Sequence, residues 1–304
     1  MATPLKYRIL NNWQLYLFLL VPVVYIIIFA YVPMVGAQIA FRRYSARAGI
    51  WGSPWVGFDN FIRFFQSYQF RRVVTNTLSL SVLQIVFSFP IPIIFALMMN
   101  SFEFPFYKKF SQTIVNLPHF ISIVVLVGMV FQIFNANTGL YGNLMYSLTG
   151  SKPPDLFAKP ENFRIMYIAS GIWQSFGWSS IIYLAALAGV SSEMHEAAII
   201  DGASRFQRIL YVDFPSIIPT ITILLILRTG GIMSIGFEKV FLMQNGLNLS
   251  LSEVISTYVY KVGLTGTSDF SFSTAIGLFN SVINMIILAG VNTFARRLGE
   301  TSLW

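Results

Sequence analysis

The chain has 304 residues, 55% of them hydrophobic and 11% charged, with a mean hydropathy of +0.66 and a net charge of +8. A soluble domain carries about 25% charged residues, so this composition excludes an ordinary water-soluble globule and describes a polytopic membrane protein. The absence of cysteine excludes disulfides and thiolate chemistry, and the basic residues are too scattered for a nucleic-acid surface.

Hydropathy predicts an all-α integral membrane fold with six spans of roughly 20 residues each. After an N-terminal segment, residues 1–13, the first span covers 14–36. It is longer than a signal peptide's apolar region and no small-residue cleavage site follows it, so it reads as retained. A loop over 37–73 leads to the second span, 74–98. A shorter loop, 99–112, leads to the third span, 113–134, which holds Asn116, Pro118, His119 and Gln132. Residues 135–164 form a long loop before the fourth span, 165–188, with Trp173, Gln174 and Trp178. A charged segment over 189–215 precedes the fifth span, 216–236, which contains Arg228 and Ser234. The loop 237–271 precedes the sixth span, 272–294, with Asn280 and Asn284, and residues 295–304 form a tail. The transmembrane domain thus runs over 14–294. Prolines within the spans are ordinary for a packed bundle, because neighbouring helices re-satisfy the backbone groups they free.

The segment EAAIIDGASRFQRILYVDFP, residues 196–215, is polar yet lies between two apolar runs. Ser191 and Ser192 suit the cap of a helix starting at Glu193, whose carboxylate matches the positive helix end. Ala197 and Ala198 are small enough for a partner surface to approach, and Gly202 is the natural break. Ser204 and Gln207 have capping-box spacing, which restarts a helix. Phe206, Ile209 and Leu210 give that helix an apolar face, and Pro215 is expected to end it and open the fifth span. Physics alone leaves two readings open. One is a module presented to an aqueous partner. The other is a helix pair lying flat on lipid headgroups.

Six spans put both termini on one side, together with the 99–112 and 189–215 loops. With that side inside, the interior carries eight bases and the exterior eleven, Arg228 being the twentieth. That distribution runs against the positive-inside tendency. The exterior carries six acids, for a net of +5. The basic exterior suits lipid headgroups or a docking protein, and, as a sharper reading, an acidic oligosaccharide.

The spacing Glu196-Ala197-Ala198, three residues, Gly202, nine residues, Val212-Asp213-Phe214-Pro215 resembles the EAA loop of ABC importer permeases, with Asp201-Gly202-Ala203 also typical. The passages at Trp51–Phe61, Asn76-Thr77, Leu117–Ser122, Gly236–Lys239 and Val254–Tyr260 are similar to the LplB-like polysaccharide branch of the maltose-type permeases. The resemblance implies a six-helix type I importer (MetI-like) fold. It also implies that 189–215 is a cytoplasmic coupling loop docked on an ATPase subunit, which sets the orientation chosen above against the charge count. Glu196, Ala197, Ala198, Asp201, Gly202 and Pro215 then carry the coupling. The implied partners are a second related permease chain, two ATPase subunits, an extracellular substrate-binding protein and an oligosaccharide, in a prokaryotic plasma membrane with both termini cytoplasmic. ATP and Mg would reside on the ATPase, and no cofactor on this chain.

The residues agree with a non-enzymatic transport subunit. No G-x-x-x-x-G-K-[ST] phosphate loop occurs, and His119 and His195 stand far apart in a chain without a nucleophile–base or metal-ligand pattern. An ion-coupled secondary sugar transporter is the alternative, and it commonly places Asp, Glu or His within its spans. None of the six predicted spans holds Asp or Glu. A channel would not need the coupling module, and an ABC permease for a non-sugar solute is a further reading. Arg228 lies near the middle of the fifth span, where a charge costs about 2.5–3.5 kcal/mol on insertion scales, so it should face the bundle interior or water. It reads either as a lining of the translocation path or as an arginine satisfied by carbonyls or a partner permease. Asn116, Gln132, Trp173, Gln174, Trp178, Ser234, Asn280 and Asn284 are the other candidates for sugar contacts, and packing or interhelical hydrogen bonds are the competing role for each. His119, behind a proline, reads as structural.

Overall fold

The structure, a computed structural model, describes residues 11–102, 104–266 and 268–297. Most of the expected terminal segments, 1–13 and 295–304, therefore lies outside the described residues. Helix dominates, and an isolated bridge between Arg42 and Trp55 is the extended pairing seen among the described residues.

Four helices are long and apolar enough to cross a membrane: α1 (Trp13–Phe41), α2 (Tyr68–Asn100), α7 (Arg205–Gly230) and α8 (Phe270–Arg297). Two bent pairs raise this to as many as six spans. One pair is α3 (Pro105–Asn116, continued by a 3-10 turn to Phe120) with α4 (Ile123–Ile133), bent by 99°. The other is α5 (Pro160–Leu187) with α6 (Ser192–Ile200), bent by 78°. The expected third span, 113–134, is therefore not one helix. Pro118 lacks an N–H and biases Leu117 away from continuing helix. Ser122 then restarts α4, its Oγ accepting the Val125 N–H at 3.3 Å. The expected fifth span also ends early, at Gly230, and residues 231–236 form a turn before the short helix α9 (Phe237–Met243).

The chain forms two compact units. One comprises residues 1–67 and 259–279. Its centre is aromatic: Phe41 stacks on Trp55 with centroids 5.5 Å apart, and Phe64, fully buried, meets Phe272 and Phe279 edge-on. Such contacts contribute beyond the area they bury, by about 0.5–1.5 kcal/mol each. Arg42 donates to the Ser53 carbonyl at 2.8 Å beneath Trp51 and Trp55, and Arg63 pairs with Asp269 at 2.6 Å.

The second unit comprises residues 68–258 and 280–304. One apolar core gathers Leu80, Val127, Phe163, Tyr167, Val240 and Val254, and a second gathers Ile93, Leu97, Tyr183, Leu187 and Ile217. Small residues let the helices close in, as expected where hydrophobicity alone does not drive association. A Cβ at Gly177 would run into the Val115 carbonyl of α3, and one at Gly230 would lie 2.6 Å from Leu288 Cδ1.

Polar side chains satisfy the irregular backbone. Asn76 donates to the Ser250 and Glu253 carbonyls at 2.9 and 3.1 Å and accepts from Arg164 at 3.1 Å, while Thr77 accepts the Ile255 N–H at 3.0 Å. Arg72 is ion-paired with the buried Glu253. Lys239, 7% exposed, donates to the Tyr167 carbonyl at 2.8 Å, and burial lowers its ammonium from the ordinary 10.5 to about 8.

Candidate functional site

The 189–215 segment folds through local capping. Ser191 Oγ accepts the Glu193 N–H at 3.2 Å, opening α6. At its other end Gly202 takes φ +80°, a left-handed conformation that costs other L-residues energy. The Gly202 N–H reaches the Ile199 carbonyl at 3.0 Å and the Ala203 N–H reaches Ala198 at 2.9 Å, the paired bonds of a Schellman stop. Ser204 and Gln207 then form a reciprocal capping box, with Ser204 N to Gln207 Oε1 at 2.7 Å and Gln207 N to Ser204 Oγ at 3.3 Å. The second arm does not end at Pro215, as the sequence suggested. It runs through a π-type turn, Ile209–Asp213, directly into the rest of α7. The changed hydrogen-bond register just before Pro215 leaves room for a residue without an N–H.

The module presents a mixed surface. Glu196, Ala197, Asp201 and Gly202 are exposed, and Ala198 is half-buried. Around them stand Met194, Ile199, Ile200 and Phe206, the last two 85% and 72% exposed. That much apolar surface on a charged segment marks a place for a protein partner or a lipid surface.

Behind this surface the loop is tied to the bundle. Asp213, 2% exposed, accepts from Asn100 Nδ2 at 3.1 Å and is paired with His195 Nε2 at 3.2 Å. The sequence reading had given none of these three a role.

In the membrane bundle, Arg228 lines two cavities. One, of about 280 Å³, is lined by Ser81, Gln84, Arg228 and Ser234. The other, of about 310 Å³, is of mixed character: Ser88, Ser175, Ser179, Tyr183 and Arg228 line it beside apolar residues that include Phe89, Ile172, Phe176 and Leu224. Arg228 itself is exposed. Ser81, Gln84 and Ser88 share one helix face, as do Ser175, Ser179 and Tyr183 at i, i+4 and i+8. These hydroxyl-bearing faces were missed, though their helical spacing is visible in the sequence.

The other candidates disperse. Asn284 is structural: its Oδ1 accepts the Met233 N–H at 2.9 Å and its Nδ2 donates to Ser234 Oγ at 2.8 Å, holding the turn after α7. Gln174 donates to the Ile121 carbonyl at 2.9 Å, satisfying the backbone freed by the 99° break. Trp178 stacks on His119 with centroids 4.5 Å apart and planes 3° from parallel, which gives His119 the expected structural role. Trp173 lines a separate apolar cavity of about 260 Å³ with Met129, Ile133 and Phe134. Gln132 is exposed, Asn116 and Asn280 are half-buried, and none of the three lines the cavities around Arg228.

Known proteins resemble this chain along nearly its whole length. The family model for the binding-protein-dependent transport system inner membrane component matches residues 64–300. Protein LplB of Bacillus subtilis (strain 168) is 43% identical over 294 residues, covering 97% of this chain and 92% of LplB. The polygalacturonan/rhamnogalacturonan transport system permease protein YteP of the same organism is 38% identical over 297 residues, covering 98% of this chain and 92% of YteP. A chain from the crystal structure of a bacterial ABC transporter involved in the import of the acidic polysaccharide alginate superposes with a TM-score of 0.88 at 41% identity, covering 96% of this chain and 98% of that one. A chain of the bacterial alginate ABC transporter in complex with alginate pentasaccharide-bound periplasmic protein gives 0.90 at 39% identity, covering 98% and 99%. Motifs, helical architecture and these likenesses converge: the chain belongs to the family of binding-protein-dependent transport system inner membrane components, membrane-embedded transport subunits and not enzymes.

Proposed function

We propose that this chain is a permease subunit of an ATP-driven ABC importer that takes up acidic oligosaccharides handed over by an extracellular binding protein. The observation that carries this reading is the coupling segment: a locally capped helix–glycine–helix element whose small and apolar side chains stand exposed on an otherwise charged loop. It has the form of an element that fills a groove on another protein. The ATP and Mg sites belong on two partner ATPase chains. A second related permease completes the pathway, and the described termini face the cytoplasm on the side of the coupling loop.

Arg228 supports an acidic cargo. Arg228 offers a charge-assisted donor for a carboxylate, and the serine and tyrosine hydroxyls in the two cavities it lines offer neutral partners for sugar hydroxyls. The names of two similar proteins refer to polygalacturonan/rhamnogalacturonan and to alginate, the latter described as acidic. In the transport cycle, closure of the ATPase pair moves the coupling helices and the bundle changes the side to which it opens.

The test is uptake into proteoliposomes holding the assembled complex, with oligouronate-loaded binding protein outside the equivalent of the cell. Uptake that requires ATP and persists after ion gradients are collapsed supports the reading. Uptake driven by a proton or sodium gradient without ATP overturns it.

A further inference from the structure

The His195–Asp213–Asn100 cluster is not used by the docking surface or by the sugar path. Asp213 sits in the π-type turn of α7 and is almost fully buried. A carboxylate there is costly unless it is hydrogen-bonded and paired. Its partners come from two other elements: Asn100 from the last residue of α2, and His195 from the coupling helix α6, one residue before Glu196. The three side chains border a cavity of about 340 Å³ that Arg205 and Arg208 also line. Among the described residues, the His195–Asp213 contact is the only side-chain hydrogen bond or ion pair joining α6 to a long helix. The backbone links on either side are weak transmitters. One passes through Gly189 and the other through the Gly202 turn, where an added side chain would meet open space. A helix held only by such links can swivel without moving the bundle.

We propose that His195, Asp213 and Asn100 form a latch that makes α6, α7 and the end of α2 move as one body, so that displacement of the coupling helix reaches the transport path. They are positioning residues, acting on the path through the helices that carry them. The inference rests on the importer reading above and adds where force enters the bundle. Burial strengthens the latch: Asp213 is 2% exposed, and a charge-assisted bond in such a low-dielectric place is costly to break when the loop is pulled.

The experiment uses the full reconstituted complex and compares oligouronate uptake per ATP hydrolysed, alongside the amount of ATPase that co-purifies. His195→Ala should leave ATPase binding and binding-protein-stimulated hydrolysis within about twofold of wild type while uptake per ATP falls at least fivefold. His195→Gln, whose Nε2 reaches the same acceptor, should restore the ratio to within twofold, a rescue that general loosening of the loop would not show. Adding Asp213→Asn to His195→Ala should cause little further loss, because the two residues act through one contact. The latch is refuted if His195→Ala keeps the wild-type ratio, if Gln fails to rescue, or if Ala sheds the ATPase, which would make His195 part of docking. If the wild-type complex itself hydrolyses no ATP in response to binding protein, the importer reading fails and the latch fails with it.

Discussion

Substitution of Gly202 isolates the bend of the coupling loop from its chemistry. The position has φ +80°, and an added Cβ would find no atom within 4 Å, so replacement by alanine meets no clash with neighbouring residues. Its cost is conformational, about 1–2 kcal/mol for an L-residue held in the left-handed region. Asparagine tolerates that region better and should cost less than alanine. Proline is fixed near φ −65° and also removes the N–H that bonds Ile199. It forfeits the turn and about 1 kcal/mol of hydrogen bonding besides, for a total of about 3 kcal/mol. If docking requires the observed bend, these costs appear in the affinity for the ATPase, where every 1.4 kcal/mol is about tenfold. The expected order is wild type, Asn, Ala and Pro, with alanine weakened about 5- to 30-fold and proline more than 100-fold. Titration of the detergent-solubilised permease pair with labelled ATPase measures it. A Gly202→Pro variant that binds and couples like wild type would falsify the reasoning.

Arg228→Gln should reduce uptake of an oligouronate about 10- to 100-fold, from loss of a charged hydrogen bond of about 1.5–3 kcal/mol. Uptake of a neutral oligosaccharide, where it occurs, should change little, and equal losses for both cargoes would remove Arg228 from carboxylate recognition. Gly177→Ala should lower the melting temperature in detergent, since its Cβ meets the Val115 backbone and overpacking costs about 1–3 kcal/mol; an unchanged melt would contradict the close approach of α3 and α5. For Lys239, the unfolded chain holds its proton up to the ordinary 10.5 and the folded chain only to about 8. Between those values the unfolded state binds more protons, so stability rises with pH, by about 2 kcal/mol from pH 8 to 9.5. The stability of the wild type relative to Lys239→Met should therefore rise over that range, and a difference that does not change with pH would refute the buried ammonium.

The structure of the 189–215 segment was legible in the sequence because it is local. Ser191, Gly202, Ser204 and Gln207 act on backbone groups within a few residues, and spacing alone reveals them. Pro215 misled because a proline signals where a helix lacks a donor, not whether a π-type turn upstream accommodates it. The 99° break at 117–122 was hidden for a related reason: apolar runs on both sides gave one continuous hydropathy peak. Gln174, which repairs that break, carries no local mark of its partner 53 residues away. The two tryptophans of α5 meet different neighbours. Trp173 and Trp178 are five residues apart, about 140° around a helix, so they face different surroundings. Arg228 stands out in the sequence because charge in an apolar run is conspicuous, whereas the serines that line the same cavities give a weaker signal. Much of the basic charge on the three long loops serves the chain itself: Arg42, Arg63, Arg72, Arg164 and Lys239 bond carbonyls, carboxylates or an amide, while Arg43 and Arg47 are exposed. Counting charges by loop treats these two groups alike, so the count carries less topological information than its size suggests.

The central claim is that the 189–215 loop is held by the ATPase on the cytoplasmic side. The chain contains no cysteine, so a single one introduced at the exposed Ala197 is a unique reactive site. The decisive measurement is oxidative cross-linking of Ala197→Cys, in inside-out vesicles carrying the full complex, to single cysteines placed along the ATPase groove. A cross-link that forms at one groove position, and whose yield changes when ATP is bound, is the predicted result. Labelling of Ala197→Cys from the extracellular side, with no cross-link at any groove position, would contradict both the orientation and the coupling role.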